Sequence, residues 1–336
     1  MFVQEKISSI FPLEICLADD NKNFASFYKK AVKLTQQNFG NKRLLFNPIY
    51  VSDVCFADCP YCGYRGMNVQ FKRKTLTPEE TIKEAMFLKQ RGINCILVLA
   101  SDYKNSQYQY VEMLYHNIKV IKEEVNPEWL GIEVATLEID EYARLKEAGA
   151  NSVTVFQETY NRKRYAQLHQ TEHKGNFDFR YNAQRRAIMA GFSEVGFGAL
   201  YGVGFWKDDT IAMAEHALQL REEFPHVKFR FAFPRLQVSE GQEADCRTEY
   251  VTTLDLEKAM TYIRLLFPND NLVLTGRESA SFLCKSAAIV NILGYAGQTS
   301  VGGYTLNNYG ANQFELNKKI SFEGFCKSLK ENGYEK

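Results

Sequence analysis

The segment Leu44-Leu45-Phe46-Asn47-Pro48-Ile49-Tyr50-Val51-Ser52-Asp53-Val54-Cys55-Phe56-Ala57-Asp58-Cys59-Pro60-Tyr61-Cys62 joins an apolar run to three closely spaced cysteines. Residues 44–51 are dense in apolar side chains and read as a buried strand. That strand delivers a C-x3-C-x2-C loop at its C-terminal end. Three thiolates so close in sequence form a compact soft-ligand set that suits an iron–sulfur cluster, and they leave one iron of a four-iron cluster open to a small chelating molecule. A structural zinc site normally takes four ligands, and no second C-x2-C follows. Cys16, Cys95, Cys246, Cys284 and Cys326 are scattered singly, as thiols in a reducing compartment are.

Downstream, strand and helix patterns alternate. Thr77-Pro78-Glu79-Glu80 is a helix start, with Thr at the N-cap, Pro at the first position and a Glu three residues after the Thr; that helix is expected to run to Gly92. Further strands are expected at 95–99, 130–135, 151–156, 195–200, 228–233, 272–275 and 292–295. Helices are expected at 108–124, 140–148, 179–190, 208–224, 254–266 and 281–290. This alternation predicts an α/β fold, a closed (β/α)8 barrel of the TIM type, with a more open barrel as the alternative. Residues 1–43 carry helical spacing and are expected as an N-terminal extension packed on the barrel, with the barrel at 44–315 and a helical tail at 316–336. The C-terminal strand ends of such a barrel share one face. There the cysteine loop should meet Ser101-Asp102, Gln157-Glu158-Thr159-Tyr160, Tyr201-Gly202-Val203-Gly204, Pro234-Arg235 and Gly276-Arg277-Glu278-Ser279.

Composition narrows the partners. Across 336 residues, 41 Lys and Arg face 40 Asp and Glu, so no global field recruits nucleic acid or an anionic membrane. No apolar run reaches the roughly 18 residues of a membrane span. Met1-Phe2-Val3-Gln4-Glu5-Lys6 lacks the charge-then-apolar order of a signal peptide, and a soluble, cytoplasmic protein is expected. His169 and His173 stand four apart, as zinc ligands on a helix do; no further ligand cluster accompanies them, and a solvated helix or loop face is the favoured reading.

The cysteine motif, with the aromatic Tyr61 before its last cysteine, resembles the signature of the radical S-adenosylmethionine (SAM) enzymes. Further segments are similar to the aromatic amino acid lyases of that superfamily, above all the tyrosine lyases of thiamine biosynthesis. They are Asn47-Pro48-Ile49-Tyr50-Val51-Ser52, Arg73-Lys74-Thr75-Leu76-Thr77, Phe156-Gln157-Glu158-Thr159-Tyr160, Gly198-Ala199-Leu200, Phe233-Pro234-Arg235-Leu236, Arg277-Glu278-Ser279 and Gly302-Gly303-Tyr304. The resemblance implies one 4Fe–4S cluster held by Cys55, Cys59 and Cys62, with SAM on its open iron; one electron then releases methionine and a 5′-deoxyadenosyl radical. It places Tyr61, Ser101, Asp102, Glu158 and Arg180 around SAM, with Glu158 on the ribose hydroxyls and Arg180 on the methionine carboxylate. Without the resemblance, Glu158 reads as a helix-start acid and Arg180 as a solvated helix cation. The implied substrate site comprises Tyr50, Arg277, Ser279 and Arg235, with Arg277 gripping a carboxylate through two parallel bonds. No catalytic side chain is implied beyond the cluster and the SAM-derived radical.

The implied reaction takes hydrogen from the amine of L-tyrosine and breaks its Cα–Cβ bond, giving p-cresol and 2-iminoacetate (dehydroglycine) for the thiazole of thiamine. Implied partners are an amino acid substrate, tyrosine favoured, a reductant such as flavodoxin or ferredoxin, and a thiazole synthase. Departures from the family pattern cluster at the barrel mouth. Ser101-Asp102 stands where the family has Gly-Glu, Ala135-Thr136 replaces larger or Pro-containing neighbours, and residues 294–301 lack a Ser-Lys-Thr-Gln-Pro pattern. They leave open a related radical SAM lyase or rearrangement enzyme acting on tryptophan or another amino acid. An iron–sulfur sensor or electron-transfer protein is the alternative of another class, although such proteins usually supply every cluster ligand. Cys284 and Cys326 offer no triplet for a second cluster, so none is expected.

Overall fold

Strands β1 (Leu44–Ser52), β2 (Cys95–Ala100), β3 (Trp129–Glu133), β4 (Ser152–Glu158), β5 (Glu194–Ala199), β6 (Lys228–Ala232), β7 (Asn271–Leu274) and β8 (Ile292–Gly294) pair in parallel and in chain order. The first strand closes on the last through Leu44↔Ile292, Leu45↔Leu293 and Phe46↔Gly294. The computed structural model describes residues 15–18, 23–103, 107–241, 246–306, 310–316 and 320–336. The expected (β/α)8 barrel is the observed fold, and every strand boundary lies within two residues of its expected position. Strands covered on both faces must be apolar almost continuously, and that continuity makes them legible. No helix among the described residues is long and apolar enough to cross a membrane.

Local chemistry sets the helix ends. Helix Pro78–Gln90 starts with a complete capping box: the Glu80 amide donates to Thr77 Oγ1 at 3.3 Å and the Thr77 amide to Glu80 Oε2 at 3.0 Å. The helix expected at 179–190 is instead two, Phe177–Tyr181 and Ala183–Met189. At the break, the Asn182 side-chain amide donates to the Asp178 carbonyl at 2.9 Å, a local bond that competes with the helical ladder. The helix expected at 281–290 stops at Ser286, where the buried Arg43 guanidinium takes the Ala287 carbonyl at 2.7 Å. Helix Phe24–Phe39 packs against helix Thr253–Leu266, and Thr35 Oγ1 donates to the Ile289 carbonyl at 3.2 Å. Residues 1–14 of the expected extension lie outside the described residues. In the tail, helix Phe322–Glu331 is followed by a segment in which the Glu335 carbonyl accepts from the Arg43 amide at 2.6 Å.

Small residues on the inner face keep the barrel from filling. A Cβ at Gly131 would meet the Trp129 ring at 2.0 Å, and one at Gly198 the Phe156 ring at 2.3 Å. Those rings therefore lie across positions that have no side chain of their own. A cavity remains inside the barrel, walled by apolar residues such as Phe46, Leu97, Leu99 and Phe156. Its floor is polar and closed: Glu194 accepts from Trp129 Nε1 at 2.8 Å, from Asn271 Nδ2 at 3.2 Å and from Arg230 Nε. The Arg230 guanidinium also stacks 3.8 Å from the Trp129 ring centroid. Its mouth opens at the C-terminal strand ends.

Candidate active site

The cysteine loop leaves β1 just beyond a register shift between Tyr50 and Ser52, and its own backbone is tightly stitched. The Arg73 guanidinium donates to the carbonyls of Asp53, Tyr64, Arg65 and Asn68 at 3.0, 3.1, 2.7 and 3.2 Å. Arg65 forks onto Asp58 at 2.7 and 2.8 Å. Cys59 is buried and Cys55 and Cys62 are half-buried. The Tyr64 backbone amide lies 3.4 Å from Cys62 Sγ, and the Cys55 thiol donates to the Ala57 carbonyl at 3.7 Å. Burial pushes the Cys55 thiol up to about 12 and also raises Cys59 and Cys62; for Cys55 and Cys62 the neighbouring sulfurs add to the shift. Such thiols ionise when a cationic centre takes them as ligands. No three His, Cys, Asp or Glu among the described residues converge on a single ion. Three closely spaced thiols match a cluster with one iron left open, whereas a structural zinc ion takes four ligands.

Beside the loop, Tyr61 is buried, and its hydroxyl meets His169 Nε2 at 2.7 Å. His169 Nδ1 lies 3.0 Å from the Tyr165 carbonyl, so Nδ1 carries the proton and Nε2 accepts from Tyr61. Burial, and then the Lys174 charge, push His169 down to about 3. His169 is therefore a neutral anchor for Tyr61, which corrects the expectation of a solvated face. His173 is half-buried, its ring nitrogens 2.8 Å from Asp102 Oδ1 and 3.1 Å from the Thr136 carbonyl. One oxygen of Asp102 is thereby engaged, while Ser101 donates to the Ser52 carbonyl at 3.2 Å.

Glu158 ends β4 after a second register shift and holds φ at 70°, a conformation that non-glycine residues adopt at a cost. It is a buried strand-end acid, not the start of a helix. Lys174 Nζ donates to Glu158 Oε1 at 2.8 Å, and Arg180 Nη2 lies 3.7 Å from the same oxygen. Burial would raise this carboxyl, but Lys174 and then Arg180 prevail and hold it at about 2. Arg180 is buried too, its Nε donating to the Phe156 carbonyl at 2.7 Å, so it is not a solvated cation. Below them, Asp209 accepts from Thr159 Oγ1 at 2.9 Å and from the Tyr160 amide at 2.7 Å, fixing the turn that follows Glu158.

Tyr50, Glu133 and Arg277 line the cavity at its upper end. Glu133 and Arg277 also line a smaller pocket that includes Tyr61, Cys62 and Glu158. The Arg277 guanidinium lies 3.4 Å from the Phe314 ring centroid, and its one long bond, 3.4 Å, goes to the Arg235 carbonyl. Tyr50 donates to Gln313 Oε1 at 2.7 Å. Two expected substrate ligands are otherwise occupied. Arg235 is paired with Glu278, its Nε 3.1 Å from Oε1, and also holds the Val251 carbonyl at 2.9 Å. Ser279 caps helix Ala280–Ser286 by accepting from the Phe282 amide at 3.3 Å, and it borders a surface cleft rather than the cavity. Both line that cleft together with Arg277, and neither lines the cavity.

Residues 310–316 form a strap over the mouth. The Gln313 carbonyl accepts from the Gly63 amide at 2.9 Å, the Gln313 amide donates to Thr299 at 2.9 Å and the Glu315 amide to Val238 at 3.0 Å. A Cβ at Gly63 would meet the Asn312 carbonyl oxygen at 2.0 Å, so the strap needs glycine there. Sequence reasoning did not single out this strap, Lys174 or Glu133. Glu133 left one signal, an acid inside an otherwise apolar strand; Lys174 and the strap left none.

The Radical SAM superfamily profile matches residues 49–217. The chain is 32% identical over 294 residues to 2-iminoacetate synthase of Escherichia coli K12, covering 85% of this chain and 74% of that protein. It is 31% identical over 198 residues to 3-methylornithine synthase of Methanosarcina barkeri, covering 57% of this chain and 53% of that protein. Among solved structures, the FeFe-hydrogenase maturase HydG from Carboxydothermus hydrogenoformans superposes with a TM-score of 0.89 at 26% identity, over 97% of this chain and 75% of that one. The chain belongs to the radical SAM superfamily, in the family of 2-iminoacetate synthase, and its cofactors are one 4Fe–4S cluster and S-adenosylmethionine.

Proposed function

We propose that this protein is a carbon–carbon lyase that cleaves the Cα–Cβ bond of L-tyrosine, giving p-cresol and 2-iminoacetate for thiazole assembly. One observation carries the reading: Arg277, a cation with no carboxylate partner among the described residues, stands where an apolar cavity meets the pocket that contains Cys62 and Glu158. Cys55, Cys59 and Cys62 hold the cluster. Tyr61, Ser101, Asp102, Glu158 and Arg180 would border SAM, and bound there the two cofactors would supply radical chemistry.

The chain's own part is positioning. Glu158, kept ionised by Lys174 and Arg180, offers acceptors to ribose hydroxyls, and Arg180 offers charge to a carboxylate. Arg277, backed by the Phe314 ring, grips the substrate carboxylate. The substrate ring then enters the cavity between Leu97, Leu99 and Phe156, and Tyr50 with Gln313 walls the reacting end. The strap shields that end from water, so orientation and dryness are the protein's main contributions. A hydrolysis-prone imine favours direct transfer to a thiazole synthase, which co-purification checks. A reductant such as flavodoxin or ferredoxin supplies the electron.

Anaerobic incubation of the reconstituted protein with reductant, SAM and tyrosine is expected to release p-cresol. Formation of 5′-deoxyadenosine without p-cresol overturns the tyrosine assignment, and a panel including tryptophan then identifies the amino acid. Cys62→Ala is expected to abolish SAM cleavage.

A further inference from the structure

An α-amino acid enters a site near neutral pH with its amino group as an ammonium ion. Hydrogen is removed readily from a neutral amine, because the nitrogen lone pair stabilises the radical left behind; an ammonium nitrogen has none to offer. A site that takes hydrogen from such a nitrogen therefore needs somewhere for a proton to go.

Glu133 stands at that place. It is the last residue of β3 and lines both the apolar cavity and the pocket beside Cys62. Arg277 lines the same two spaces, so opposite charges border one junction. The Glu133 carboxylate makes no hydrogen bond or ion pair with another described residue, whereas that of Glu158 is bonded to Lys174 and that of Glu194 to Arg230. The charged groups that act on it are Glu158 from β4, Arg277 from beyond β7 and Arg180 and Lys174 from the β4–β5 connection; Tyr50 from β1 neighbours it, and Tyr61 and Cys62 of the cysteine loop line the same pocket. From β2, Leu97 and Leu99 present only apolar surface. Burial, and then the Glu158 charge, push the Glu133 carboxyl up to about 7, against the pull of Arg277, Arg180 and Lys174. Both of its protonation states are thus within reach in the range where an enzyme works.

We infer that Glu133 recognises the α-ammonium group of the substrate and accepts its proton, making with Arg277 a two-ended clamp for an amino acid zwitterion. The inference rests on the amino acid reading given above. In the step, one ammonium N–H bond breaks and one carboxyl O–H bond forms. The bonding pair stays on nitrogen as the lone pair, so an ammonium and a carboxylate become an amine and a carboxylic acid. No oxidant or reductant is consumed. Glu133 acts before hydrogen is taken, and it selects for a free amino group.

The test uses the reconstituted holoenzyme with SAM and three probes: tyrosine, tyramine without the carboxylate, and 3-(4-hydroxyphenyl)propionate without the amino group. Dissociation constants are measured by calorimetry for wild type and for Glu133→Gln, which keeps the shape and removes the charge. Glu133→Gln is expected to weaken tyrosine and tyramine by about ten- to hundredfold and to leave 3-(4-hydroxyphenyl)propionate unchanged or tighter. The acidic limb of the kcat/KM profile, expected near pH 7, should disappear in the same variant, and Glu133→Asp should restore part of the preference for amines. Equal weakening of all three probes, or of none, overturns the inference. If wild type turns over a different amino acid, the tyrosine reading falls instead. The same comparison, made with that amino acid, its amine and its desamino analogue, then decides the role of Glu133.

Discussion

Arginine and glutamate stand together at both ends of one cavity, in opposite conditions. At the floor, Arg230 and Glu194 bond each other, Trp129 and Asn271 complete the acceptor set, and no charge is left open. At the mouth, Glu133 has no hydrogen-bond partner among the described residues and Arg277 has a single long bond to a carbonyl. Both mouth residues are half-buried and border the cavity with their charges open to a ligand, whereas the closed pair at the floor belongs to the scaffold. The same two residue types thus serve folding at one end and binding at the other.

The most severe test is at the floor. Arg230→Met should leave the half-buried Glu194 without its counter-charge, held only by Trp129 and Asn271, and cost about 2–4 kcal/mol of stability, read as a lower urea midpoint, with p-cresol formed per folded molecule unchanged. An unshifted midpoint would break the contrast. At the mouth the outcome should invert: Arg277→Met is expected to lower kcat/KM for the amino acid by roughly 30- to 1,000-fold, about 2–4 kcal/mol, while the urea midpoint hardly moves.

A smaller effect, on the order of 1–3 kcal/mol, concerns pH and has opposite signs for the two acids at the mouth. Glu158 is held at about 2, below the usual carboxylate value, so its contribution is complete above about pH 4.5 and fades as pH falls toward 2. Glu133 is raised to about 7, so the ligand-free protein is favoured below about pH 4.5 and loses stability as pH rises through 7. Denaturation of ligand-free protein across pH should show that Glu133→Gln flattens the upper slope and Lys174→Met the lower one. The least effect is expected from Phe314→Ala, which removes the ring behind Arg277; about 1 kcal/mol of cation–π attraction should appear as a severalfold rise in KM with kcat kept.

The barrel was legible because strands buried on both faces are apolar runs, and helices such as Pro78–Gln90 advertise their start. The cysteine loop and the turns of Glu158 and Arg277 were legible as segments, and the fold brings them to one face. What each side chain does there was less so. Arg235 and Glu278 are distant in sequence, and nothing local says that they pair and so take Arg235 out of the cavity. Ser279 sits before a helix, and its hydroxyl goes to the cap. His169 looks solvated until Tyr61 and Tyr165 close around it. Lys174, in the four-residue helix Glu172–Gly175, gains its meaning only from meeting Glu158. The strap has no periodicity at all, because long-range bonds to Gly63, Thr299 and Val238 fix it.

That strap is bonded from two regions of the site at once. Through Gln313 it joins Tyr50, at the substrate wall, to Gly63, the residue after Cys62. By reciprocity, the factor by which a loaded cluster tightens the amino acid equals the factor by which the amino acid tightens the cluster. Metal-free protein should then bind its substrate more weakly, and substrate should slow the loss of iron to a chelator by a matching amount.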